Sequence, residues 1–327
     1  MPYKVMAITA GRKGGNSEIL AKIALERLQE HGAETLLVNL FDYDIQACTG
    51  CEGCTMQMGA VAKDPTKAYK GCVLKDKDDA DALITELHSC DGVVIAVPTY
   101  DLGPSSLYLR FAQRFLAYER AFLRSIGVVK PGPNPVAALV SVGGSKHDWQ
   151  SLALEGLQAT MFTMSLQVVD RYMAQRVPRP GAVLLHQDIV EHMKGMADHV
   201  WDAMNTPAEE RGWLGDPDDG VCPNCHSSLV YPGDPHWDGI EFPWECAVCG
   251  AGGVLGTNPK TGRPTLVIDP ENGLIRDRND DAARAEHLNE IMQTTAGFFE
   301  HQHEISDELK RYRDMEFPTV EVTKQLR

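Results

Sequence analysis

The stretch Tyr3-Lys-Val-Met-Ala-Ile-Thr9, followed by Ala10-Gly-Arg-Lys-Gly-Gly-Asn-Ser17, decides the fold class of this 327-residue chain. The first seven residues are mostly apolar, which predicts a short β-strand, and the next eight form a glycine-rich loop. Apolar residues then recur at helical spacing over 19–28, so a helix follows the loop. Asn16 or Ser17 is a natural N-terminal cap for that helix. The chain therefore opens with a strand, a glycine-rich turn and a helix.

The glycine-rich loop between this strand and this helix has the form of an anion-binding site. Its backbone N–H groups and the helix N-terminus would point at a phosphate, and Arg12 and Lys13 add positive charge. The loop lacks the Lys-Ser/Thr ending of a nucleotide P-loop and the G-x-G-x-x-G pattern of dinucleotide-binding proteins. A phosphate site and a plain βα turn with two basic residues are both open at this point.

Strands and helices continue to alternate along the first 205 residues. The run 92–97 is continuously apolar, as is typical of a central parallel strand buried on both faces, and 136–142 is a second such run. This alternation predicts an α/β protein with a doubly wound parallel sheet in a domain spanning 1–205. Ligands of such sheets bind beyond the carboxyl ends of the strands. The loops at those ends are 10–17, 98–103 and 143–148.

The composition of the chain restricts its partners. There are 46 acidic and 31 basic residues, for a net charge of −15, which argues against nucleic acid or an anionic membrane as the main partner. The longest apolar run, 93–97, is far too short to span a bilayer. We expect a cytoplasmic protein whose nine cysteines are reduced, so closely spaced cysteines indicate metal or redox sites rather than disulfides.

Three cysteines lie close together in Cys48-Thr-Gly-Cys51-Glu-Gly-Cys54, just after the second predicted strand. Thiolates this close repel one another and oxidise readily unless a metal or a cluster binds them. A further cysteine, Cys72, follows after 17 residues, so that 48–72 form a cysteine-rich insertion. The C-x2-C-x2-C spacing fits an iron-sulfur cluster better than zinc, which favours two separated C-x2-C pairs.

A second cysteine set has the spacing C-x2-C-x20-C-x2-C and consists of Cys222-Pro-Asn-Cys225 and Cys246-Ala-Val-Cys249. Two such pairs place four thiolates around one tetrahedral metal and predict a zinc-ribbon lobe at 213–270. Iron in a rubredoxin-like site is the alternative. Residues 280–315 follow as one or two amphipathic helices, which form a helical tail. The predicted aromatic core of the lobe consists of Tyr231, Trp237, Phe242 and Trp244.

The first 205 residues resemble the flavodoxin-like NAD(P)H-dependent FMN reductases and, within them, the iron-sulfur flavoproteins. Arg12-Lys-Gly-Gly-Asn-Ser17 resembles the phosphate loop of that family. Asp91-Gly-Val-Val-Ile-Ala-Val-Pro-Thr-Tyr100 resembles its central strand and the loop that packs on the flavin ring, and Gly143-Gly144 its second ring-contacting loop. The resemblance implies a flavodoxin-like fold and an FMN site. The residues implied to bind FMN are Gly11, Arg12, Lys13, Gly15, Asn16, Ser17, Pro98, Thr99, Tyr100, Gly103, Gly143 and Gly144.

The first cysteine set resembles the cluster segment of the iron-sulfur flavoproteins. This implies that Cys48, Cys51, Cys54 and Cys72 bind a [4Fe-4S] cluster that exchanges electrons with FMN. In that family the last cysteine follows the third within a few residues, whereas here the insertion 55–71 separates them. Two alternatives stay open. The cysteines could be unligated in a reductase that uses only flavin, some of them forming a redox-active disulfide, or they could form a structural zinc site.

The activity implied by the resemblance is that of a flavin-dependent oxidoreductase. FMN would accept a hydride from NAD(P)H, or single electrons from ferredoxin or another redox protein, and would reduce a small-molecule acceptor. His147, just after the glycine pair, is the candidate proton donor. A homodimer or homotetramer is expected. The rival predictions are an electron-transfer or redox-sensing protein without a substrate of its own, and a scaffold in which every cysteine site binds zinc.

Overall fold

The computed structural model describes residues 2–236 and 238–319. The chain divides into two compact units, Met1–Ala285 and Glu286–Arg327. The first unit contains both β-sheets of the described residues, and the second consists mainly of helix. Trp237, which was predicted to belong to the aromatic core of the C-terminal lobe, lies outside the described residues. The predicted domain boundaries 1–205, 213–270 and 280–315 stay predictions.

The larger sheet has the strand order and direction of a flavodoxin-like fold. Its path is β2-β1-β3-β5-β6, with every neighbouring pair parallel, and a short β4 pairs antiparallel with the end of β3. Without β4 this is the 2-1-3-4-5 order of doubly wound sheets, which confirms the predicted fold class. The strands are β1 (Lys4–Thr9), β2 (Glu34–Asn39), β3 (Gly92–Tyr100), β4 (Gly103–Pro104), β5 (Val136–Val142) and β6 (Gln167–Ala174).

Alternation of side chains along the strands builds two separate cores. Val5 and Ala7 of β1 face one side of the sheet, and Met6 and Ile8 face the other. Helices α1 (Asn16–Glu30) and α8 (Gln187–Asn205) cover the first side. The second side is covered by α3 (Ala80–His88), α4 (Ser106–Ala112), the 3₁₀ segment Gln113–Tyr118, α6 (Ala153–Gln158) and α7 (Met161–Met164). Because both faces are covered, the central strands are apolar throughout.

Helix α1 does not begin as the sequence predicts. Its N-cap is Gly15, which makes no side-chain capping bond, and Asn16 is already helical. The Asn16 amide instead donates to the carbonyl oxygens of Val177 and Arg179, at 2.7 and 2.8 Å. Ser17 is buried, and its hydroxyl accepts a bond from the Thr9 hydroxyl at 3.1 Å. The predicted cap was therefore wrong, because tertiary hydrogen bonds occupy both side chains.

A smaller antiparallel sheet, of order β10-β9-β8-β7, carries the second cysteine set. We call this sheet and its four cysteines the ribbon lobe. The cysteines, Val248, Ala251 and Leu266 form its core, and Phe242 is also buried. The strands are β7 (Val230–Pro232), β8 (Trp244–Cys246), β9 (Gly252–Thr257) and β10 (Pro264–Ile268).

The predicted helical tail is present as α9 (Asp281–His301), a 3₁₀ segment Gln302–Ile305 and α10 (Ser306–Asp314). Most of this tail forms the second compact unit. Several of its apolar side chains are about half exposed: Phe298, Phe299, Ile305 and Tyr312. The remaining helices of the chain are α2 (Gly53–Lys63) and α5 (Arg120–Ser125). Among the described residues, no helix is both long enough and apolar enough to cross a bilayer.

One buried histidine should make the stability of the fold depend on pH. His88 ends α3, and its Nε2 lies 3.0 Å from the carbonyl oxygen of Met164. Burial lowers the pKa of His88 from 6.5 to about 4, so the unfolded chain binds the proton more readily than the folded one. The contribution of the neutral His88 ring to the free energy of unfolding is fully present above pH 6.5 and is lost as the pH falls toward 4.

We expect His88→Gln to remove that part of the acid sensitivity, because glutamine still donates to Met164 and does not titrate. The loss of unfolding free energy between pH 6.5 and pH 4 should shrink by about 2 kcal/mol, since one pKa unit is worth about 1.36 kcal/mol and the ring is not fully buried. Urea unfolding at several pH values measures this. Parallel curves for the two proteins would contradict it.

Candidate functional site

Four loops meet at the carboxyl edge of the larger sheet. They follow β1, β3, β5 and β6, and because these strands are parallel, the loops emerge on the same side. We call the four together the loop ring: 10–17, 98–104, 143–152 and 175–186. The loops predicted to bind the ligand, 10–17, 98–103 and 143–148, belong to it.

The first contact in the loop ring joins the loops after β1 and β3. A Cβ atom placed on Gly11 would overlap the Ser17 hydroxyl and lie 3.4 Å from Cγ of Pro98. Ser105, just after the β3–β4 hairpin, donates from its hydroxyl to the carbonyl oxygen of Ala10 at 3.2 Å. A side chain at position 11, where the two loops touch, would therefore require the Ser17 hydroxyl to move.

Gln150 joins the loops after β3 and β5. It is almost fully buried, donates from Nε2 to the carbonyl oxygen of Ser145 at 2.6 Å and accepts at Oε1 from the Thr99 hydroxyl at 3.3 Å. A Cβ on Gly143 would overlap the Gln150 amide. The first of the two predicted ring-contacting glycines is thus required by the packing of a glutamine that the sequence analysis did not identify.

The loop after β6 closes the ring. Its Val177 N–H donates to the Gly143 carbonyl oxygen at 3.1 Å, and a Cβ on Gly144 would lie 3.0 Å from Cα of Pro178. The Asn16 amide binds the carbonyl oxygens of Val177 and Arg179, as described above. Each of the four loops therefore contacts its neighbours, and the predicted residues from three distant parts of the chain lie in adjoining loops.

The loop 10–17 carries two basic side chains, and one of them is paired with an acidic residue. Arg12 and Lys13 are exposed, and the Lys13 ammonium pairs with Asp42 at 2.5 Å. Below the loop, the buried Glu18 carboxylate accepts from the Asn39 amide at 2.9 Å and pairs with Lys22 at 2.5 Å. Burial acts to raise the pKa of Glu18, but these partners outweigh it and lower the pKa. Arg12 is thus the cation better placed to meet an anion.

The cysteines of the first set lie on the loop before α2, on its first turn, and on the segment after it. Cys48 and Cys51 are exposed, and Cys54 and Cys72 are half-buried. Burial raises the pKa of Cys54, and the charges of Cys72 and Cys48 raise it further. A backbone hydrogen bond from Gly53 lowers the pKa of the exposed Cys51.

Gln57 holds the long insertion so that Cys72 returns to Cys54. Its Nε2 donates to the carbonyl oxygens of Gly53 and Gly71, at 2.8 and 3.0 Å, and its Oε1 accepts from the Lys70 N–H at 2.9 Å. The residues just before Cys72 are thereby fixed against the first turn of α2. The 17-residue separation in sequence does not separate the two thiols in space.

The second cysteine set forms one compact centre. The sulfur atoms of Cys222 and Cys249 are 3.6 Å apart, as are those of Cys225 and Cys246. All four sulfurs lie within 4.8 Å of one another and all four residues are buried. Metal–sulfur bonds of about 2.3 Å around a tetrahedral ion place sulfurs about 3.8 Å apart. Over residues 2–236 and 238–319, no other set brings three or more potential ligand atoms this close.

Each of the four thiols affects the protonation of the others. Hydrogen bonds with the neighbouring thiols raise the pKa of Cys225, and the hydrogen bond with Cys222 raises the pKa of Cys249. Cys222 and Cys246 accept hydrogen bonds from neighbouring thiols, which lower the pKa of each. Four buried thiolates without a positive ion would repel one another strongly. The donor set therefore fits a single divalent or trivalent metal ion.

Residues 3–176, more than half of the chain, match the model of the NADPH-dependent FMN reductase family. The chain belongs to this family. Family membership makes it a flavin-dependent oxidoreductase with FMN as its cofactor.

Relatives and solved structures agree with this assignment. The chain is 28% identical over 160 residues to the iron-sulfur flavoprotein of Methanosarcina thermophila, covering 48% of this chain and 72% of that protein. It is 28% identical over 167 residues to an iron-sulfur flavoprotein of Methanocaldococcus jannaschii, covering 51% and 75%. A solved flavone reductase has the same fold over 98% of this chain and 100% of its own, with a TM-score of 0.72 and 21% identity.

The residues of the loop ring fit FMN. The N-terminus of the 15-residue α1 opens at Asn16, and nothing lies within 4 Å of a Cβ placed on Gly14, so the loop backbone is open to a phosphate. Tyr100 is 58% exposed and Trp149 is 68% exposed. The bond between Thr99 and Gln150 joins the two segments that carry these exposed rings.

The hairpin that carries Tyr100 is strained in this FMN reductase family member. Tyr100 pairs with Gly103 across a two-residue turn, and both turn residues have positive φ, 48° at Asp101 and 68° at Leu102. Leucine rarely adopts this conformation, which costs roughly 1–2 kcal/mol. Strain of this size persists where surrounding contacts fix the backbone, and here the Leu152 N–H donates to the Leu102 carbonyl oxygen at 3.1 Å.

A buried polar network connects the ribbon lobe to α6. Gln158 donates to the carbonyl oxygen of the ligand Cys225 at 2.5 Å. The Ser227 hydroxyl donates to Glu155 at 2.6 Å, and Arg171 donates to both Glu155 and Gln158 at 3.0 and 2.8 Å. Since α6 directly follows the loop 143–152, the ribbon lobe supports one side of the loop ring.

The sequence analysis missed the residues that connect its motifs. Gln57, Gln150 and Asn39 each bind groups from a distant segment, and no local spacing indicates this. His147, the candidate proton donor, is exposed at the start of a short 3₁₀ segment, His147–Trp149. It lies in the loop ring, and its role stays a prediction.

Proposed function

We propose that the protein transfers electrons from NAD(P)H or ferredoxin through FMN, and through a [4Fe-4S] cluster, to a small-molecule acceptor. The observation that carries the proposal is the closed loop ring at the carboxyl edge of the sheet, the edge at which β2, the strand before the first cysteine set, also ends. FMN supplies hydride and single-electron chemistry when it is bound. The chain itself binds the phosphate at 10–17 and borders the ring with Tyr100 and Gly143-Gly144.

The cluster would be bound by Cys48, Cys51, Cys54 and Cys72. Support comes from the C-x2-C-x2-C spacing, from the return of Cys72 to Cys54 through Gln57, and from relatives that are named iron-sulfur flavoproteins. The four sulfurs do not converge as those of the ribbon lobe do. This suits a cluster, in which each sulfur binds a different iron, better than one tetrahedral ion.

For the ribbon lobe we propose structural zinc, with iron as the alternative. The four cysteines are buried and close enough for one ion, and the lobe is too small to be held by burial of apolar side chains alone. The sulfur ligands accept either metal. The metal would hold the two cysteine pairs together, one of which begins at the end of β8. It would thereby maintain the hydrogen-bond network that connects the ribbon lobe to α6.

The proposal includes the setting in which the enzyme acts. We propose a cytoplasmic homodimer or homotetramer that binds neither nucleic acid nor membranes, in keeping with the net charge of −15. His147 would deliver a proton to the acceptor from its exposed position in the loop ring. Ferredoxin or another redox protein would dock on the acidic surface if it is the donor.

Anaerobic purification followed by a visible spectrum and cofactor counts tests the proposal. We expect one FMN, about four irons with about four sulfides, and one zinc per chain. Bleaching of the flavin by NADH or NADPH would identify an NAD(P)H oxidoreductase, and bleaching only by reduced ferredoxin would exclude NAD(P)H as the electron donor. FMN without iron or sulfide would refute the cluster, and iron without sulfide would place iron in the ribbon lobe.

A further inference from the structure

Arg114 is buried in the core beside the first cysteine set. It lies in the 3₁₀ segment Gln113–Tyr118, which directly follows α4. Helix α4 in turn follows the hairpin that carries Tyr100. The residue is 2% exposed, and it is among the largest fully buried side chains of the described residues. A guanidinium at this depth is costly unless charged and polar partners surround it.

The partners of Arg114 include a sulfur atom. Its Nη1 donates to the Asp78 carboxylate and to the carbonyl oxygen of Gln46, the latter at 3.1 Å. Its Nη2 donates to Sγ of Cys72 at 3.6 Å. The Leu74 N–H donates to the same sulfur at 3.5 Å. Cys72, the residue that the long insertion separates from the other three cysteines, thus accepts two hydrogen bonds.

Arg114 and Asp78 balance each other in charge, and the Cys72 sulfur is a further acceptor on the same guanidinium. Asp78 is fully buried together with Arg114. Burial acts to raise the pKa of Asp78, and the bond from Arg114 outweighs it and lowers the pKa. Burial acts to lower the pKa of Arg114, whereas Asp78 and Cys72 raise it. One cation therefore serves two acceptors, a carboxylate on one nitrogen and a sulfur on the other.

We propose that Arg114 is a positioning residue that fixes Cys72 as a cluster ligand and raises the reduction potential of the cluster. This inference rests on the proposed function of the first cysteine set. Hydrogen bonds to the sulfurs and net charge set the potentials of such clusters. Reduction adds one electron from the flavin and no proton, so it adds one negative charge next to the guanidinium. Arg114 stabilises that charge.

A purely structural role for Arg114 predicts a different outcome. If it only neutralises Asp78, replacing both residues by neutral ones of similar shape should leave the cluster unchanged, because neither buried charge remains unpaired. Arg114→Met with Asp78→Asn is that replacement. Arg114→Lys keeps the charge near Asp78 but loses the planar fork that serves two acceptors at once. The matched control is Arg110→Met, one turn earlier, where the guanidinium donates to the Ile45 carbonyl oxygen.

The test is a potential titration of each anaerobically purified variant, followed by electron paramagnetic resonance, with iron and sulfide counts. We expect the equilibrium constant for reduction of the cluster to be at least tenfold lower in the double variant than in the wild type. For a one-electron couple this lowers the reduction potential by about 59 mV. Arg114→Lys should show a smaller shift of the same sign, and Arg110→Met none. If the double variant loses its iron, the change in reduction potential of Arg114→Lys relative to the wild type is the measurement that tests the inference.

The inference would be overturned if Arg114→Lys kept its full iron content and its equilibrium constant for cluster reduction stayed within threefold of the wild-type value. The same result is required of the double variant where it keeps its iron. An equal shift in Arg110→Met would also overturn it, because the effect would then not depend on contact with Cys72. A wild-type protein that holds FMN but no iron or sulfide would instead refute the proposed cluster itself. The two failures are therefore distinguishable.

Discussion

Cys246→Ser is expected to abolish metal binding in the ribbon lobe and to unfold that lobe. Cys246 is fully buried, and its sulfur lies 3.6 Å from that of Cys225. The four cysteines make up most of the core of the lobe, so without the metal little apolar burial is left to hold it. Loss of a structural metal costs on the order of 5 kcal/mol or more. In a unit of this size, that lowers the melting temperature by at least about 10 °C.

The measurement is metal content by mass spectrometry together with thermal unfolding. Cys90→Ser is the matched control, because Cys90 is also a buried cysteine, at 5% exposed, and belongs to neither set. We expect it to keep the metal and to melt within a few degrees of the wild type. A Cys246→Ser protein with a full metal content and an unchanged melting temperature would show that the four sulfurs are not a metal centre.

Loss of the ribbon lobe should also weaken FMN binding. Gln158 binds the carbonyl oxygen of Cys225, and Ser227 binds Glu155, so both side chains of α6 lose partners when the lobe unfolds. Glu155 and Arg171 would then face solvent, and α6 would no longer be fixed behind the loop 143–152. FMN titration of Cys246→Ser, followed by flavin fluorescence, should show weaker binding than in Cys90→Ser. Equal affinities would mean that the loop ring is independent of the lobe.

Gly143→Ala is expected to weaken FMN binding by at least about tenfold while the protein stays folded. A Cβ at this position overlaps the buried amide of Gln150. That amide would have to leave its bonds to Ser145 and Thr99, each worth about 1 kcal/mol. Two such bonds correspond to a change of about tenfold or more in the dissociation constant. The loops after β3 and β5 would then no longer be held together around the flavin.

The FMN dissociation constant is measured by fluorescence titration of the flavin-free protein, with circular dichroism to confirm folding. Gly195→Ala is the matched control, because Gly195 lies in α8 and nothing lies within 4 Å of a Cβ placed there. It should bind FMN as the wild type does and be slightly more stable, since alanine favours a helix more than glycine. Unchanged affinity in Gly143→Ala would mean that Gln150 does not shape the flavin site.

The sequence by itself determined the strands, the loops and the two cysteine sets. Continuous apolar runs predicted the central strands because a strand covered on both faces has no side exposed to water. The glycine-rich loop 10–17 and the C-x2-C-x20-C-x2-C spacing are local patterns with a local chemical meaning, so they could be read without a fold. The resemblance of the motifs to FMN reductases was confirmed by the family match.

Local patterns also misled at the start of α1. Asn16 and Ser17 have the residue types of helix caps, yet Gly15 is the cap and both side chains bond elsewhere. Propensity describes what a residue does when only its neighbours in sequence compete for its hydrogen bonds. At Asn16 the competitors are carbonyl oxygens 161 and 163 positions away.

Only the tertiary structure decided how the motifs are joined. Gln150 joins two loops of the loop ring, Gln57 joins the residue before Cys72 to the residue before Cys54, and Arg114 donates to Cys72 from 42 positions away. Glutamine and arginine are usually surface residues, so nothing in their types or spacing marks them. Their roles come from burial and from partners distant in sequence, and such pairs exist only once the sheet has placed its loops at one edge.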